Sequence, residues 1–472
     1  MAGFVGRERE LEVLARALER VRAAEADPEP GKLLFVRGRR RVGKSRLVEQ
    51  FLKQAGVPSV FFTAARRGTR ELAIFVAEIA VSRLPNTEEL PGTEPPDWDA
   101  ALALLALALP DDTPSVVVID EFPYLLEGDP SIEATFQKMW DRVLKKKPVL
   151  LLLVGSDLAV MEILNTHDRP MFQRGTDMVI PTLTPVEVGE IISAPSAADA
   201  FDAFLLTGGM PMLCDEWPTG KHALEYVEDV LSEPASMLIT GASRTLDAEF
   251  PTDALAREVL SAIGSGERTF TNIKGAAGGL NDVSLTRSLE ILTAKRMVSR
   301  DLPISTKPSK EPRYRIIDPY LQFWLRFVGN HLDEIDRDRS DLVLDRIRVD
   351  WTTWRGRAIE PVVRLALERI LAAGGSKVGA VGAYWTRTNT PEIDIVVADA
   401  APRAKSISFA GSIKWREAQA FDQGDLTELT VAAAKIPGVV NTTPLIAVGR
   451  VGVTAKGAVM ALSAEDLIEA WR

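Results

Sequence analysis

The segment Gly38-Arg39-Arg40-Arg41-Val42-Gly43-Lys44-Ser45 constrains this chain more than any other stretch, because it satisfies the spacing G-x-x-x-x-G-K-[ST] in the setting that spacing needs. Ahead of it, after a break at Pro28, Pro30 and Gly31, runs Leu33-Leu34-Phe35-Val36, which reads as a buried strand. Behind it, Arg46, Leu47, Val48, Phe51 and Leu52 continue as an amphipathic helix. Strand, glycine loop and helix in this order predict an α/β domain with a parallel sheet. The glycines let backbone N–H groups close around phosphate oxygens, and the helix N-terminus adds partial positive charge. Lys44 is placed to reach β/γ-phosphates and Ser45 to ligate Mg²⁺, so ATP and Mg²⁺ are the expected ligands.

A second motif supports the first. Val116-Val117-Val118-Ile119-Asp120-Glu121 is a buried parallel strand with carboxylates at its C-terminal end, where α/β sheets bind ligands. Asp120 is the expected Mg²⁺ residue, and Glu121 the group that orients or deprotonates the attacking water. A third strand, Leu150 to Val154, leads into Gly155-Ser156-Asp157. Ser156 reads either as a γ-phosphate sensor or as part of a helix N-cap before Leu158. Arg174, in Arg169-Pro170-Met171-Phe172-Gln173-Arg174-Gly175, reads either as a finger reaching a neighbouring subunit's nucleotide in a homo-oligomer or as a solvated surface arginine.

Taken in order, Phe4-Val5-Gly6-Arg7-Glu8, the Gly38–Ser45 loop, the Asp120-Glu121 strand end, Phe136-Gln137-Lys138-Met139-Trp140-Asp141, Gly155-Ser156 and Gly208-Gly209-Met210-Pro211 resemble the archaeal-type ATPase family of AAA+/STAND NTPases. The resemblance spans about half the chain. It implies that Val5, Gly6 and Arg7 lie near the adenine and that Gly38, Arg39, Arg40, Arg41, Val42, Gly43, Lys44, Ser45 and Arg46 cradle the phosphates. It also implies that Ser156 senses phosphate, that Gly208 to Pro211 belong to a helical lid, and that Arg174 is a finger.

Composition narrows the remainder. Lys+Arg 56 against Asp+Glu 66 gives a net charge of -10, so any nucleic-acid partner must be held by a local patch. One cysteine, Cys214, and three histidines exclude an intramolecular disulfide and a Cys/His zinc site, and a reducing cytoplasm is the expected compartment. The longest apolar stretch, Ala100 to Leu109, is too short to cross a bilayer, so no membrane segment is expected.

Against the acidic whole, the stretch from Gly264 to Ile316 is basic, with an excess of Lys and Arg over Asp and Glu. Its pattern is that of a winged helix-turn-helix: helices at Leu255–Ala262, Phe270–Ala276 and Val283–Ala294, then a hairpin of Met297–Arg300 and Arg313–Ile317. Duplex DNA is the candidate partner, through Ser284, Thr286, Arg287 and Ser288 on the recognition helix and Lys307, Lys310 and Arg313 on the wing. A packing or regulatory lid is the other reading. The aromatic helix Asp318 to Phe327 that follows reads as core or interdomain packing, and it is similar to the segment joining this ATPase family to its C-terminal domain.

Beyond a charged stretch, Asp333 to Asp345, Glu360 opens a helix, Asp394 lies in the strand Ile393–Val397, and Lys414 ends another strand. This order resembles the PD-(D/E)XK, restriction-endonuclease-like fold and the DUF234-type domain that follows such ATPases. That fold implies carboxylates converging on Mg²⁺ with a lysine organising the water. The family pattern expects an acid two positions before the lysine, where this chain has Ser412, so a degenerate site is expected, with Glu417, Asp425 or Glu428 as possible substitutes.

The sequence therefore predicts an α/β protein: a AAA+ P-loop core (1–182), a helical lid (183–250), a winged helix (251–332), a linker (333–345) and a nuclease-like domain (346–472). The expected function is an ATP-binding and hydrolysing switch acting on or with DNA. An active ATP-controlled DNA nuclease in defence or repair, and a non-catalytic signalling scaffold, are the alternatives.

Overall fold

The computed structural model describes residues 5–24, 27–66, 70–88, 90, 92–250, 253–375 and 379–472; Phe4 lies outside the described residues. The chain forms two compact units that divide between Thr182 and Leu183.

In the first unit, β1 (Lys32–Arg37), β2 (Ser59–Thr63), β3 (Ser115–Asp120), β4 (Val149–Gly155) and β5 (Thr176–Val179) make one parallel sheet in the order β2-β3-β4-β1-β5. Because β3 and β4 are buried along their whole length, their sequences are unbroken apolar runs rather than alternations. Successive residues point to opposite faces. Phe35, Val117, Ile119, Leu151 and Leu153 thus pack with Phe75, Leu102 and Phe136, while Leu34, Val36, Val118 and Leu152 pack with Leu14, Leu18, Leu47 and Phe51. The apolar stretch near residue 100 is the helix Trp98–Ala108, started by the Asp97 carboxylate accepting from the Ala100 N–H. No helix among the described residues is long and apolar enough to cross a membrane.

The second unit opens with short helices, including Pro185–Ile192, whose Thr184 and Glu187 form a reciprocal cap, and Ala197–Thr207. Helices Ala254–Gly264, Phe270–Ala276 and Asp282–Ala294 then precede the antiparallel hairpin of β6 (Val298–Asp301) and β7 (Arg313–Ile316). The last part places the helix Glu360–Ala373 beside a mixed sheet of β8 (Ala380–Trp385), β9 (Glu392–Ala398), β10 (Ile407–Lys414), β11 (Leu445–Gly449) and β12 (Met460–Leu462). Its order is β12-β11-β10-β9-β8, antiparallel from β8 to β10 and parallel from β10 to β12.

Two expectations change here. The charged stretch 333–345 is not a linker: Ile335, Val343 and Leu344 are buried, and the helix Ser340–Ala358 runs straight through its end. Its charges are the outer face of packed helices, and one apolar cluster continues from Leu183 to Ile468. The wing, moreover, is not a free projection. The Ile304 N–H donates to Ala383 O on β8 at 2.8 Å, Trp385 Nε1 donates to Glu311 O at 2.9 Å, and Thr306 N–H donates to Pro437 O at 3.1 Å.

A buried charge cluster ties the early helices of this unit to the C-terminal sheet. Asp202 on the helix Ala197–Thr207 pairs with Arg355 at 2.9 Å and with Arg450 at 3.0 Å, and Arg355 also meets Glu417 at 2.5 Å. Phe201 packs edge-on against Trp415, the residue after β10. Such a cluster costs desolvation, and losing one partner would leave a buried charge uncompensated.

Candidate nucleotide site at the end of the parallel sheet

The glycine loop leaves β1 at the C-terminal end of the sheet. Gly38 admits no side chain, since a Cβ there would lie 2.8 Å from Ile180 O. Gly43 has φ 90°, a conformation side chains disfavour. Lys44 and Ser45 begin the helix Lys44–Ala55, at the end where its unpaired N–H groups and dipole favour anions. Arg41 and Glu121 also hold positive φ, at 67° and 52°. Such strain in non-glycine residues gathers at working sites.

Sheet order puts only β4 between β1 and β3, and that separation brings the two motifs together. Ser45 Oγ donates to Asp120 Oδ2 at 2.6 Å, and the Glu121 N–H donates to Asp120 Oδ1 at 2.9 Å. Ser156, just past β4, donates to Glu121 Oε2 through its hydroxyl at 2.8 Å and its N–H at 3.3 Å. Four sequence-predicted residues therefore form one hydrogen-bonded line across three strand ends. Asp157, next in the chain, is the true helix N-cap, accepting from the Val160 N–H, which leaves Ser156 to Glu121.

Lys44 is buried, its ammonium donating to Gly38 O at 2.9 Å and Arg39 O at 3.0 Å. Burial pulls its pKa down, while Glu121 and Asp120 act in the opposite direction. Burial pushes the Asp120 carboxyl up, opposed first by the Ser45 hydroxyl. Val5-Gly6-Arg7 is brought to the loop by Arg7 Nη2, which donates to Val42 O at 3.1 Å. Arg40 bonds the Tyr124 hydroxyl, a contact the motifs do not announce although Tyr124 sits one turn beyond Glu121. Arg39 and Arg41 are half-buried and Arg46 is exposed. The adjacent oxygens of Ser45 and Asp120 are hard donors of the kind Mg²⁺ takes.

Arg174 is engaged within its own chain. Its Nε and Nη2 grip Asp141 at 3.0 and 2.8 Å, and its Nη1 donates to Pro170 O and Phe172 O. All three guanidinium nitrogens clamp its own turn to the helix Ile132–Arg142. A finger extended toward another subunit would have to break every one of these bonds.

The C-terminal residues are near one another but do not converge on a cation. Asp394 Oδ2 accepts from Ser412 Oγ and from the Ile413 N–H, both at 2.9 Å. Glu360 pairs with Arg364 at 2.7 Å, and Arg364 Nε donates to Asp394 O at 2.7 Å. Burial pushes the Glu360 carboxyl up, with Arg364 opposing. Lys414 turns to Asp425 and Glu428, at 3.6 and 3.8 Å. The proposed substitutes are also engaged: Asp425 by Arg416, and Glu417 by Arg355 and Arg450. Among the described residues no cluster of three or more His, Cys, Asp or Glu could hold a metal ion.

On the winged helix, Arg287 and Thr286 are exposed but Ser288 is buried. Lys307 and Lys310 are exposed at the wing. Arg313 is 9 % exposed, bonded to Glu392 at 2.5 Å and Asn389 at 2.6 Å, and lies 4.5 Å over the Trp385 ring. It belongs to the wing's contact with the C-terminal sheet, and a DNA phosphate could reach it only if that contact opened.

Comparison with known proteins adds a family at this point. Residues 324–426 match DUF234, described as archaea bacterial proteins of unknown function. The match begins in the aromatic helix and takes in Glu360, Asp394, Ser412 and Lys414, which bears out the DUF234 part of the resemblance drawn from sequence. The uncharacterized protein MJECL04 of Methanocaldococcus jannaschii is 23% identical over 419 residues, covering 88% of each chain. The Walker-type ATPase paby2304 of Pyrococcus abyssi is similar over 68% of this chain and 96% of its own, with 19% identity and a TM-score of 0.47. The ORC2 protein of Aeropyrum pernix, in its ADPNP-ADP complexes, is similar over 72% and 98%, with 14% identity and a TM-score of 0.48.

The DUF234 geometry yields a prediction. Ser412→Glu sets a second carboxylate beside Asp394, so calorimetry should detect Mn²⁺ binding in excess of that of wild type, and Asp394→Ala should remove the excess. Plasmid nicking should stay absent, because Lys414 remains held by Asp425 and Glu428. Nicking by wild type, or no gain of metal by Ser412→Glu, would overturn this account of the site.

Proposed function

We propose that this chain is a Mg²⁺-dependent ATPase that works as a nucleotide-controlled switch in the cytoplasm, with a DUF234 region that does not cut DNA. The observation that carries the reading is the line Ser45–Asp120–Glu121–Ser156 across the ends of β1, β3 and β4. Lys44 and the loop N–H groups would bind and orient the β- and γ-phosphates. Glu121, steadied by both donors of Ser156, would hold the attacking water and accept its proton. Ser45 and Asp120 would hold Mg²⁺, which supplies charge neutralisation on the phosphates when bound. Arg174 has no part in this scheme, since its charge is committed to Asp141.

Lys44→Ala should weaken ATP binding by about 10- to 100-fold or more, the value of one charge-assisted hydrogen bond with its phosphate. Glu121→Gln should leave ATP binding near wild type and lower turnover by about 100-fold or more, since only the base is lost. Nucleotide binding by fluorescence anisotropy and phosphate release by coupled assay read the two effects. Turnover by Glu121→Gln equal to wild type would sink the assignment.

Contact with duplex DNA rests on the exposed Arg287, Lys307 and Lys310. Replacing these three by Ala should weaken duplex binding and flatten its dependence on salt, because fewer counterions are released. An unchanged salt slope would turn the winged helix over to a protein partner.

A further inference from the structure

A cavity of about 310 Å³ opens inside the second unit, walled by the turn after the helix Ala254–Gly264, by β7, and by the helices Pro319–Phe327 and Ser340–Ala358. Arg268, Arg315, Arg326 and Arg357 line it, with Trp354 and the carboxylates of Glu267, Asp350 and Glu360. The four arginines are not equivalent. Arg326 is committed to Asp350 and Ser265 O, and Arg315 to Asp301 at 3.3 Å. Among the described residues Arg268 has one ion-pair partner, Glu392 at 3.8 Å, a carboxylate that Arg313 already holds at 2.5 Å. Arg357 is exposed and makes no hydrogen bond or ion pair among the described residues.

The surroundings accentuate this surplus of donors. Burial, and next the neighbouring Arg313, pull the Arg268 pKa down, which marks a guanidinium short of negative charge. Glu360 on the wall is paired with Arg364 at 2.7 Å, so its charge is already met. Trp354 is 6 % exposed, and its Nε1 has no acceptor among the described residues. A buried donor without an acceptor is costly, and a ligand oxygen would relieve that cost.

Two under-paired guanidiniums and an indole N–H ask for a compact ligand with several acceptor oxygens and more than one negative charge. A phosphate monoester meets that description, and planar guanidinium forks match its oxygens. The volume sits at the lower end of small-molecule sites, enough for a phosphate with its sugar and far too small for a duplex. We propose that this cavity is a second phosphate site, taking a terminal phosphate monoester carried either by a free nucleotide or by the end of a nucleic-acid strand. It stands independently of the ATPase reading, since none of its residues belongs to the loop after β1.

The test uses the full chain carrying Lys44→Ala, so that the loop after β1 contributes little. Inorganic phosphate, AMP, and one single-stranded oligonucleotide in 5′-phosphorylated and 5′-hydroxyl forms are titrated by calorimetry. Saturable binding of phosphate or AMP is expected at up to about 1 mM, with a loss of about 10-fold in Arg357→Ala and partial retention in Arg357→Lys. Arg268→Ala combined with Arg357→Ala should lose about 100-fold. Arg357 is exposed and has no ion pair among the described residues, so if the double variant melts early the single variant decides. A clear preference for the 5′-phosphorylated oligonucleotide over AMP assigns the site to strand ends, and the reverse assigns it to free nucleotide; both support the proposal. Absence of saturable binding by every probe, or affinities unchanged in Arg357→Ala, would overturn it.

Discussion

The hydrogen bond from Ser45 to Asp120 joins the start of the helix after the glycine loop to the end of β3, and the rest of the first unit is arranged around making that bond possible. It requires β1 and β3 to end at the same height with one strand between them, which the parallel order β2-β3-β4-β1-β5 supplies. It requires β3 and β4 to be fully buried, so that the carboxylates sit at the rim of a dry sheet where a charge–charge interaction is strong. It also carries Glu121 into register with Ser156, because the Glu121 N–H caps the same Asp120 carboxylate. In the proposed function, phosphate binding at the loop and activation of water at Glu121 are connected by this one hydrogen-bonded line.

The second unit is governed by a different constraint, the contact between the β6–β7 hairpin and the C-terminal sheet. Arg313, flat on Trp385 and bonded to Glu392 and Asn389, pins β7 to the neighbouring sheet. Asp202, Arg355, Arg450 and Glu417 tie the helices Ala197–Thr207 and Ser340–Ala358 to the segments that follow β10 and β11. The hairpin contact leaves Thr286 and Arg287 exposed on the helix Asp282–Ala294 and engages Arg313 on β7. Within the C-terminal region itself, Asp394 accepts from Ser412 and from a backbone N–H, and Lys414 faces Asp425 and Glu428.

What could be read from the sequence was whatever lies contiguous along the chain. The α/β class and the glycine loop follow from short, continuous patterns. The helices and hairpin of the winged module lie within two residues of where periodicity puts them, since Thr269 and Asn281 are ordinary cap residues that mark their starts. What stayed hidden depends on partners distant in the chain. Arg313 reads as a wing cation until Trp385 and Glu392 are set against it. Arg174 reads as a finger until Asp141 is within reach. The stretch 333–345 reads as a linker because charge dominates it, although Ile335, Val343 and Leu344 carry the buried face. Nothing in the local pattern around Arg268 or Arg357 announces a cavity, for its walls come from four separate segments.

The measurement that bears most directly on the central claim is phosphate release from saturating ATP as Mg²⁺ is titrated, with bound ATP followed in the same samples. If Ser45 and Asp120 hold the cation and Glu121 the water, ATP should remain bound in EDTA without being hydrolysed, and release should rise with Mg²⁺ to a plateau. Full-rate release in EDTA, or ATP that stays bound and intact at saturating Mg²⁺, would contradict the account.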